Sequence, residues 1–488
     1  MVYLHTKTEY LYNEICEEIR MFINCDKILM VDENFKLSNL EDLFFCNKII
    51  ELAKNKFQSK VTLFIKNKQE NDYSCDFSID DEEKYAKKRA IKSAVKLSFY
   101  RLLKQYTKIK MPWGCLTGIR PTKMLREIEQ RQDEFYAKAK MTEILDVSID
   151  KYKLAKSIID RQKPIIANCD DKSLDIYIGI PFCPSICYYC SFSSTKSIKG
   201  DNAQRTYLDA LKGEINSLKS IIERYDVRSI YIGGGTPTSL DINILEELLD
   251  FVDKAFPKKD EYTVEAGRPD TLTDEYLIML KKYNVGRISI NPQTLKQKTL
   301  EKVGRKHTTE EFFDAYKRAV YYGFNNINID LIFGLPGETI TDMKRSLKEV
   351  IKLDPKSVTI HTLSIKNAAI FTKDMKYTTV EKTISRAVDM GRKLCEKNGL
   401  NPYYMYRQQY MKGNLENVGY AKKGSESIYN IDMMEEVCGV LAFGAGAISK
   451  RVFNKENRIN RSPNVKDLAT YLNRFMDMAE KKKKLFND

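Results

Sequence analysis

Long apolar runs are missing from this 488-residue chain. The nearest, Val437 to Ile448, contains glycine and falls short of the ~20 residues that span a bilayer, so no membrane-crossing helix is expected. Met1 to His5 has neither a basic nor an apolar stretch, and no secretory signal is read there. The eleven cysteines are odd in number and spread along the chain. Disulfides are therefore not expected; a cytoplasmic, reducing compartment is, in which clustered thiols serve a metal or redox site. Acidic residues are absent between Lys84 and Arg126, where thirteen Lys or Arg accumulate toward a formal charge of +14. This segment reads first as a solvated helix face. Asp80 to Glu83 precede it, and Ile91, Val95, Phe99, Leu102 and Tyr106 form an apolar stripe. The other reading is a surface for a polyanion, either nucleic acid or a multiply carboxylated substrate. No nucleic-acid motif accompanies it, so RNA is the lesser option. The length and the 43% hydrophobic and 30% charged content suit a globular protein of two or three domains.

What is present changes character near Ser173. Before it, strand-like runs such as Lys60 to Lys66 mix with helical patterns. The Pro- and Gly-punctuated "PWGCLTGIRPTK", Pro112 to Lys123, holds the one tryptophan and leads into a helix from about Pro121. After it, β-branched strands alternate with amphipathic helices. Strands are predicted at Asp175–Ile180, Ser229–Gly233, Tyr262–Ala266, Arg287–Asn291, Asn326–Phe333 and Ser357–Leu363. Helices are predicted near 202–224, 241–255, 273–283, 309–322, 340–353 and 378–398. Six parallel βα units fit a partial barrel, with ligand chemistry at the C-terminal strand ends. The expected domains are 1–170, an α+β unit; 171–375, the partial barrel; and 376–488, a mainly helical extension covering the substrate.

Three cysteines follow the first barrel strand in "CPSICYYC": Cys183, Cys187 and Cys190. A structural zinc site closes with four ligands. The three histidines, His5, His307 and His361, all lie far off in sequence. Thiolates also hold iron–sulfur clusters, and three of them on a cubane leave one iron open, the mark of a catalytic site. Pro181 and Pro184 bracket Cys183 and restrict the backbone there. The later strand ends carry "YIGGGTPT", "TVEAGRPDTL", "GRISINPQTL" and "NINIDLIFGLPGET". Glycines in the first let a ligand approach the backbone, and an acid within an apolar strand, as Asp330 is, calls for a partner or a function.

In this order, the motifs resemble those of radical S-adenosylmethionine (SAM) enzymes, and residues 173 to about 365 resemble the porphyrin branch. "PWGCLTGIRPTK", "IHTLSIKNAA" and "YMYRQQYMKGNLENVGY" extend the likeness to the long clostridial and bacillar coproporphyrinogen dehydrogenase subfamily, with its added N-terminal domain. The resemblance implies an α/β fold built on a partial (β/α)6 radical SAM barrel. It implies a 4Fe-4S cluster on Cys183, Cys187 and Cys190, with SAM on the open iron. It implies Tyr177 near the methionyl end, Tyr189 beside the adenosyl group, and Gly234, Gly235 and Thr236 at the amino group. Glu265, Gln293, Arg305 and Asp330 would surround SAM, with Ile332 near the adenine. The implied activity is oxidative decarboxylation of coproporphyrinogen III to protoporphyrinogen IX in anaerobic heme biosynthesis, with an electron donor such as flavodoxin or ferredoxin.

Two positions depart from the decarboxylase pattern. Phe192 stands where a fourth cysteine is found, as in the heme chaperones, and Gly179 stands where a histidine is found. Lys366 in turn replaces a glutamate of the chaperone pattern. The alternatives are therefore a heme-binding chaperone-like protein, another tetrapyrrole-modifying radical SAM enzyme or, from the basic segment alone, an RNA-modifying one. A substrate with four propionates calls for a wide aromatic pocket ringed with cations. Candidates are Lys366, Arg407, Lys450 and Arg120 with Lys123, beside Tyr403, Tyr404 and Tyr406. The other eight cysteines, among them Cys169 and Cys438, are expected to be isolated core thiols.

Overall fold

Hairpin chemistry organises the first part of the chain. Lys66 and Asn67 are both left-handed (φ 53° and 59°), the backbone that a two-residue hairpin demands, and Asn67 bonds both backbone groups of Leu37. The computed structural model describes residues 1–25, 27–79, 86–118, 120–190, 194–196, 202–364, 381–408, 414–456 and 458–487. It divides into two compact units. The first comprises Met1–Pro121, Leu125–Ala155 and Gly413–Leu415; the second comprises Thr122–Met124, Lys156–Lys412 and Glu416–Asp488.

In the first unit, strands β1 (Val2–Thr6), β2 (Ile28–Met30), β3 (Leu43–Ala53), β4 (Lys56–Ile65) and β5 (Lys68–Ser78) form one sheet in the order β2-β1-β3-β4-β5. β1 is parallel to both neighbours, and β3, β4 and β5 form an antiparallel meander. Helices Tyr12–Phe22 and Ala86–Thr107 share a core with it, built from Ile15, Ile19, Phe45, Leu63, Val95 and Phe99. The stripe read from the sequence is thus the buried face of the basic helix. Several of its cations are matched by acids: Lys92 by Glu14 at 2.7 Å, Lys96 by Glu18 at 3.5 Å and Lys104 by Asp146 at 2.6 Å. That pairing favours the solvated-face reading over a polyanion surface. The acidic lead-in Asp80 to Glu83 lies outside the described residues.

The second unit holds the barrel. β6 (Ser173–Ile180) is followed by a short parallel pair, β7 (Phe182–Cys183) with β8 (Thr195–Lys196). Then come β9 (Asp226–Gly234), β10 (Glu261–Val264), β11 (Arg287–Ser289), β12 (Ile327–Phe333) and β13 (Ser357–Thr362). β6 and β9 to β13 are parallel neighbours in chain order, the six strands expected. Period-two alternation makes the barrel: Asp175, Tyr177 and Gly179 share one face of β6, while Ile176, Ile178 and Ile180 on the other are fully buried. The connecting helices begin on defined caps. Thr308 with Glu311 and Thr339 with Asp342 each form a reciprocal capping box.

Residues 376–488 contribute three helices among those described, Glu381–Lys397, Ile428–Glu435 and Leu468–Asn487. They also contribute strands, which the helical expectation left out: β14 (Asn401–Tyr406), β15 (Asn417–Ala421), β16 (Gly439–Phe443), β17 (Ile448–Phe453) and β18 (Arg458–Pro463). β14 and β15 extend the sheet beyond β13, and β16 to β18 extend it beyond β6, so both edges of the barrel sheet come from the tail. No helix among the described residues is long and apolar enough to cross a membrane.

Candidate active site

The cysteine loop is fastened at three places. At its start, Gly235 N–H donates to Ile180 O (2.7 Å) and Thr236 N–H to Phe182 O (2.7 Å), which clamps the end of β9 against Cys183. In its middle, Arg268 donates to Ser185 Oγ (3.0 Å) while holding Asp270 through both carboxylate oxygens at 3.0 Å. Near its end, Tyr188 N–H donates to Val303 O (3.0 Å) and Cys190 N–H closes a turn on Cys187 O (3.0 Å). Two guanidinium groups face the same thiol: Arg268 and Arg305 each stand 3.9 Å from Cys187 Sγ.

A cavity of about 580 Å³ opens above this loop. All thirteen residues singled out from the sequence line it: Cys183, Cys187, Cys190, Tyr177, Tyr189, Gly234, Gly235, Thr236, Glu265, Gln293, Arg305, Asp330 and Ile332. Glu265 accepts from Tyr231 Oη at 2.6 Å and from Gly234 N–H at 3.3 Å. Burial, helped by the nearby Asp330 carboxylate, pushes its pKa up to about 7. Asp330 accepts from Asn328 Nδ2 at 2.7 Å and lies 3.6 Å from His361 Nε2. Although burial alone would raise its pKa, His361 and Asn328 hold it below the usual carboxylate range. Gln293 is in the left-handed region (φ 68°), and its buried Oε1 has no hydrogen-bond partner. Arg305 is pinned by the carbonyls of Asn291 (2.6 Å) and Gly267 (3.1 Å) and reaches Tyr189 Oη at 3.3 Å. Tyr189 also packs on Ile332, Val303, Leu335 and Leu363, so the two positions expected around the adenosyl group fall in one apolar patch.

Other lining residues were not read from the sequence. Tyr177, Tyr231 and Tyr429 form a wall of near-parallel rings, with Tyr231 and Tyr429 at 4.5 Å between centroids. Tyr231 had a signal, since it shares a strand face with Gly233, whereas Tyr429 arrives from the tail with no local cue. His361 shares a hydrogen bond with Tyr406 Oη (3.2 Å). Tyr403, Tyr404 and Tyr406 do line the cavity, as expected.

The cations proposed for propionates fare differently. Lys123 pairs with Glu436 at 2.8 Å and Lys450 with the same carboxylate at 3.8 Å; neither lines the cavity, because a buried acid of the tail holds both. Arg407 is buried and also outside the lining, Arg120 belongs to the first unit, and Lys366 lies outside the described residues, as does Phe192. One cysteine expectation is corrected outright. Cys169 and Cys438 are not isolated: 269 positions apart in the chain, they hydrogen-bond each other beside Asp175 and Asp432.

The arrangement fits an iron–sulfur cluster carrying SAM. Three cysteines share one fastened loop, and a Cβ added at Gly235 would stand 3.0 Å from Cys183 Sγ, so the strip beside the thiols is kept clear. Unpartnered Gln293 Oε1 and the Glu265 and Asp330 carboxylates supply acceptors for an ammonium and hydroxyl groups.

Comparison with known proteins agrees. The radical SAM superfamily profile matches residues 177–350. The oxygen-independent coproporphyrinogen-III oxidase-like protein HemZ of Bacillus subtilis is 40% identical over 418 residues, 83% of each chain. The heme chaperone HemW of the same organism is 33% identical over 280 residues, 56% of this chain and 69% of the chaperone. Among solved structures, the coproporphyrinogen III oxidase HemN of Escherichia coli superposes with a TM-score of 0.51 at 22% identity, covering 65% of this chain and 72% of HemN, a likeness of fold. The chain belongs to the radical SAM superfamily, which works with a 4Fe-4S cluster and SAM, and within it to the coproporphyrinogen-III oxidase-like family.

Proposed function

We propose that this chain is an oxygen-independent coproporphyrinogen III dehydrogenase, converting two propionates of the tetrapyrrole to vinyl groups to give protoporphyrinogen IX. The observation that carries the reading is the extent of the likeness to the oxidase-like relative. Its 418 residues exceed what the barrel unit can hold, so the match reaches into the N-terminal unit, whereas the chaperone match covers 56% of the chain. When bound, the cluster and SAM supply the one-electron chemistry that removes a hydrogen atom from a propionate β-carbon. Loss of CO2 and one electron then leaves the vinyl group, the electron passing to an acceptor; a flavodoxin or ferredoxin serves as donor to the cluster.

The chain's own residues bind and orient. Cys183, Cys187 and Cys190 would hold the cluster, and Arg268 and Arg305 would donate to the Cys187 sulfur. Gly234, Gly235 and Thr236 let the methionyl end come close, and Glu265 accepts from its ammonium. Asp330 and Gln293 take the ribose hydroxyls, while Ile332 and Tyr189 flank the adenine. The tyrosine wall of Tyr177, Tyr231 and Tyr429 faces the same cavity and offers flat apolar area to SAM and to the tetrapyrrole. Among the described lining residues Arg268, Arg287 and Arg305 are each bonded to protein groups, which leaves the propionates to groups beyond these three.

The second reading, a heme-binding chaperone-like protein, is favoured by one feature, Phe192 at the fourth-cysteine position. Anaerobic incubation of the cluster-loaded chain with coproporphyrinogen III, SAM and a low-potential reductant separates the two. Vinyl products, formed as SAM is consumed, are expected. Stoichiometric heme binding with no tetrapyrrole turnover would replace the enzyme by the chaperone.

A further inference from the structure

Near the N-terminal end of β6, on the far side of Tyr177 from the cysteine loop, lies a second set of ligand-type side chains. Asp175 on β6, Asp432 on helix Ile428–Glu435 and Cys438 just before β16 each offer an atom within 4.8 Å of the others. Cys438 Sγ is 3.0 Å from Asp175 Oδ2 and 3.8 Å from Asp432 Oδ2, and the Cys169 thiol hydrogen-bonds Cys438. Both carboxyls are fully buried. Arg228 donates through Nε to Asp432 Oδ2 at 2.6 Å, and its Nη2 is held by Ile165 O at 2.6 Å. One guanidinium thus faces two carboxyls and two thiols. Asp432 Oδ1, in the same buried place, has no hydrogen-bond partner. A buried carboxylate oxygen without a partner is costly and points to a ligand.

We propose that Asp175, Asp432, Cys438 and Cys169 bind one zinc-type divalent cation, at a site separate from the iron–sulfur loop. Two sulfurs and two carboxylate oxygens match a four-coordinate borderline ion, whereas magnesium and calcium take all-oxygen sets. The supporting groups are already in place. Arg228 holds Asp432 Oδ2, the oxygen that also faces Cys438, while Asp432 Oδ1 is buried and unbonded; Ser229 Oγ donates to Asp175 Oδ1 and leaves Oδ2, the Asp175 oxygen facing Cys438. Ligating carboxylates are commonly oriented in this way. A cavity of about 260 Å³ lined by Cys438, Asp170 and Ser173 gives an entry path. The ion would join four segments from the two ends of the barrel sequence: the turn before β6, β6 itself, the tail helix and the start of β16.

The test counts zinc separately from iron in the full-length, cluster-loaded chain after exposure to zinc under reducing conditions and exhaustive dialysis. About one zinc per chain is expected. Retention should fall at least about tenfold in Asp432→Asn and in Cys438→Ser, and persist in the Cys183→Ala/Cys187→Ala/Cys190→Ala triple variant, which lacks the thiols of the cluster. In that triple variant, cobalt replacing zinc should show thiolate-to-metal charge-transfer absorption, and Cys169→Ser, at the most accessible of the four positions, should weaken it. Failure of the unmodified chain to retain zinc, retention unchanged in Asp432→Asn and Cys438→Ser, loss of zinc in the triple variant, or a cobalt spectrum without the thiolate band would each overturn the proposal. If the buried variants fail to fold, Cys169→Ser decides it: full zinc retention with an unchanged cobalt band overturns it.

Discussion

Glu265 is the residue whose charge the cavity controls most directly. Its pKa, pushed up from 4.5 to about 7, means that the folded chain holds a proton the unfolded chain would have lost. The sign follows: stability from this group is full below about 4.5 and is lost as pH rises through about 7. On the proposed contact between Glu265 and the ammonium of SAM, binding should run the other way, because an ammonium is best accepted by the ionised form. SAM affinity, measured by equilibrium dialysis at constant salt, should tighten by up to about tenfold between pH 6 and pH 8. Glu265→Gln should flatten that profile and bind more weakly at pH 8; a profile of unchanged slope in the variant would remove Glu265 from the site. Residues such as this were legible because they close short, locally patterned strands. Tyr429, Arg268 and His361 were not, since their approach to the cavity depends on how strands and tail are arranged in space. Asp175 and Cys438 lie 263 positions apart, and nothing local in either segment announces the other.

At the scale of elements, the decisive contact is between the cysteine loop and the glycine strip of β9. A Cβ at Gly235 would meet Phe182 O at 2.4 Å, Ile180 O at 2.9 Å and Cys183 Sγ at 3.0 Å. Two of these are backbone atoms that cannot swing aside, so Gly235→Ala must displace the loop, at a cost of about 1–3 kcal/mol. Iron loading and SAM cleavage should drop together in Gly235→Ala, by at least about tenfold, while circular dichroism stays native. Cys183→Ala, Cys187→Ala and Cys190→Ala should each abolish SAM cleavage, read as loss of 5′-deoxyadenosine release. Near-normal iron and turnover in Cys187→Ala would refute the cluster assignment. The six barrel strands could be read in advance because β-branched runs such as "DIYIGI" and "NINIDLIF" sit between amphipathic helices at the spacing of βα units. β14 to β18 could not: "NPYYMY" and "ISKRVF" are short and mixed, and they become strands by pairing with β15 and β16, which in turn pair with β13 and β6, partners fixed by tertiary structure.

At the scale of the second unit as a whole, the tail is part of the barrel, and a buried ion pair is the place to test this. Glu214, on helix Asn202–Asn216, accepts from Gly444 N–H (3.0 Å), Asn464 Nδ2 (2.9 Å), Tyr471 Oη (2.7 Å) and Lys482 Nζ. Glu214 and Lys482 are both fully buried. Burial lowers the Lys482 pKa, and Glu214 opposes that. Four donors on one carboxylate fasten β16, the segment after β18 and the last helix to the helix that follows β6. Removing one partner strands the other charge in the interior, which typically costs about 3–5 kcal/mol. Lys482→Met should therefore lower the urea midpoint steeply without changing the slope of the transition. Adding Glu214→Gln to Lys482→Met should recover part of the loss, because the stranded charge is then gone, although Tyr471, Asn464 and Gly444 keep only a neutral acceptor. Because the tail supplies both sheet edges and the Tyr429 wall, SAM affinity should weaken along with stability in Lys482→Met. A variant that loses stability but binds SAM as the parent does would show that this end of the tail serves the fold without shaping the cavity.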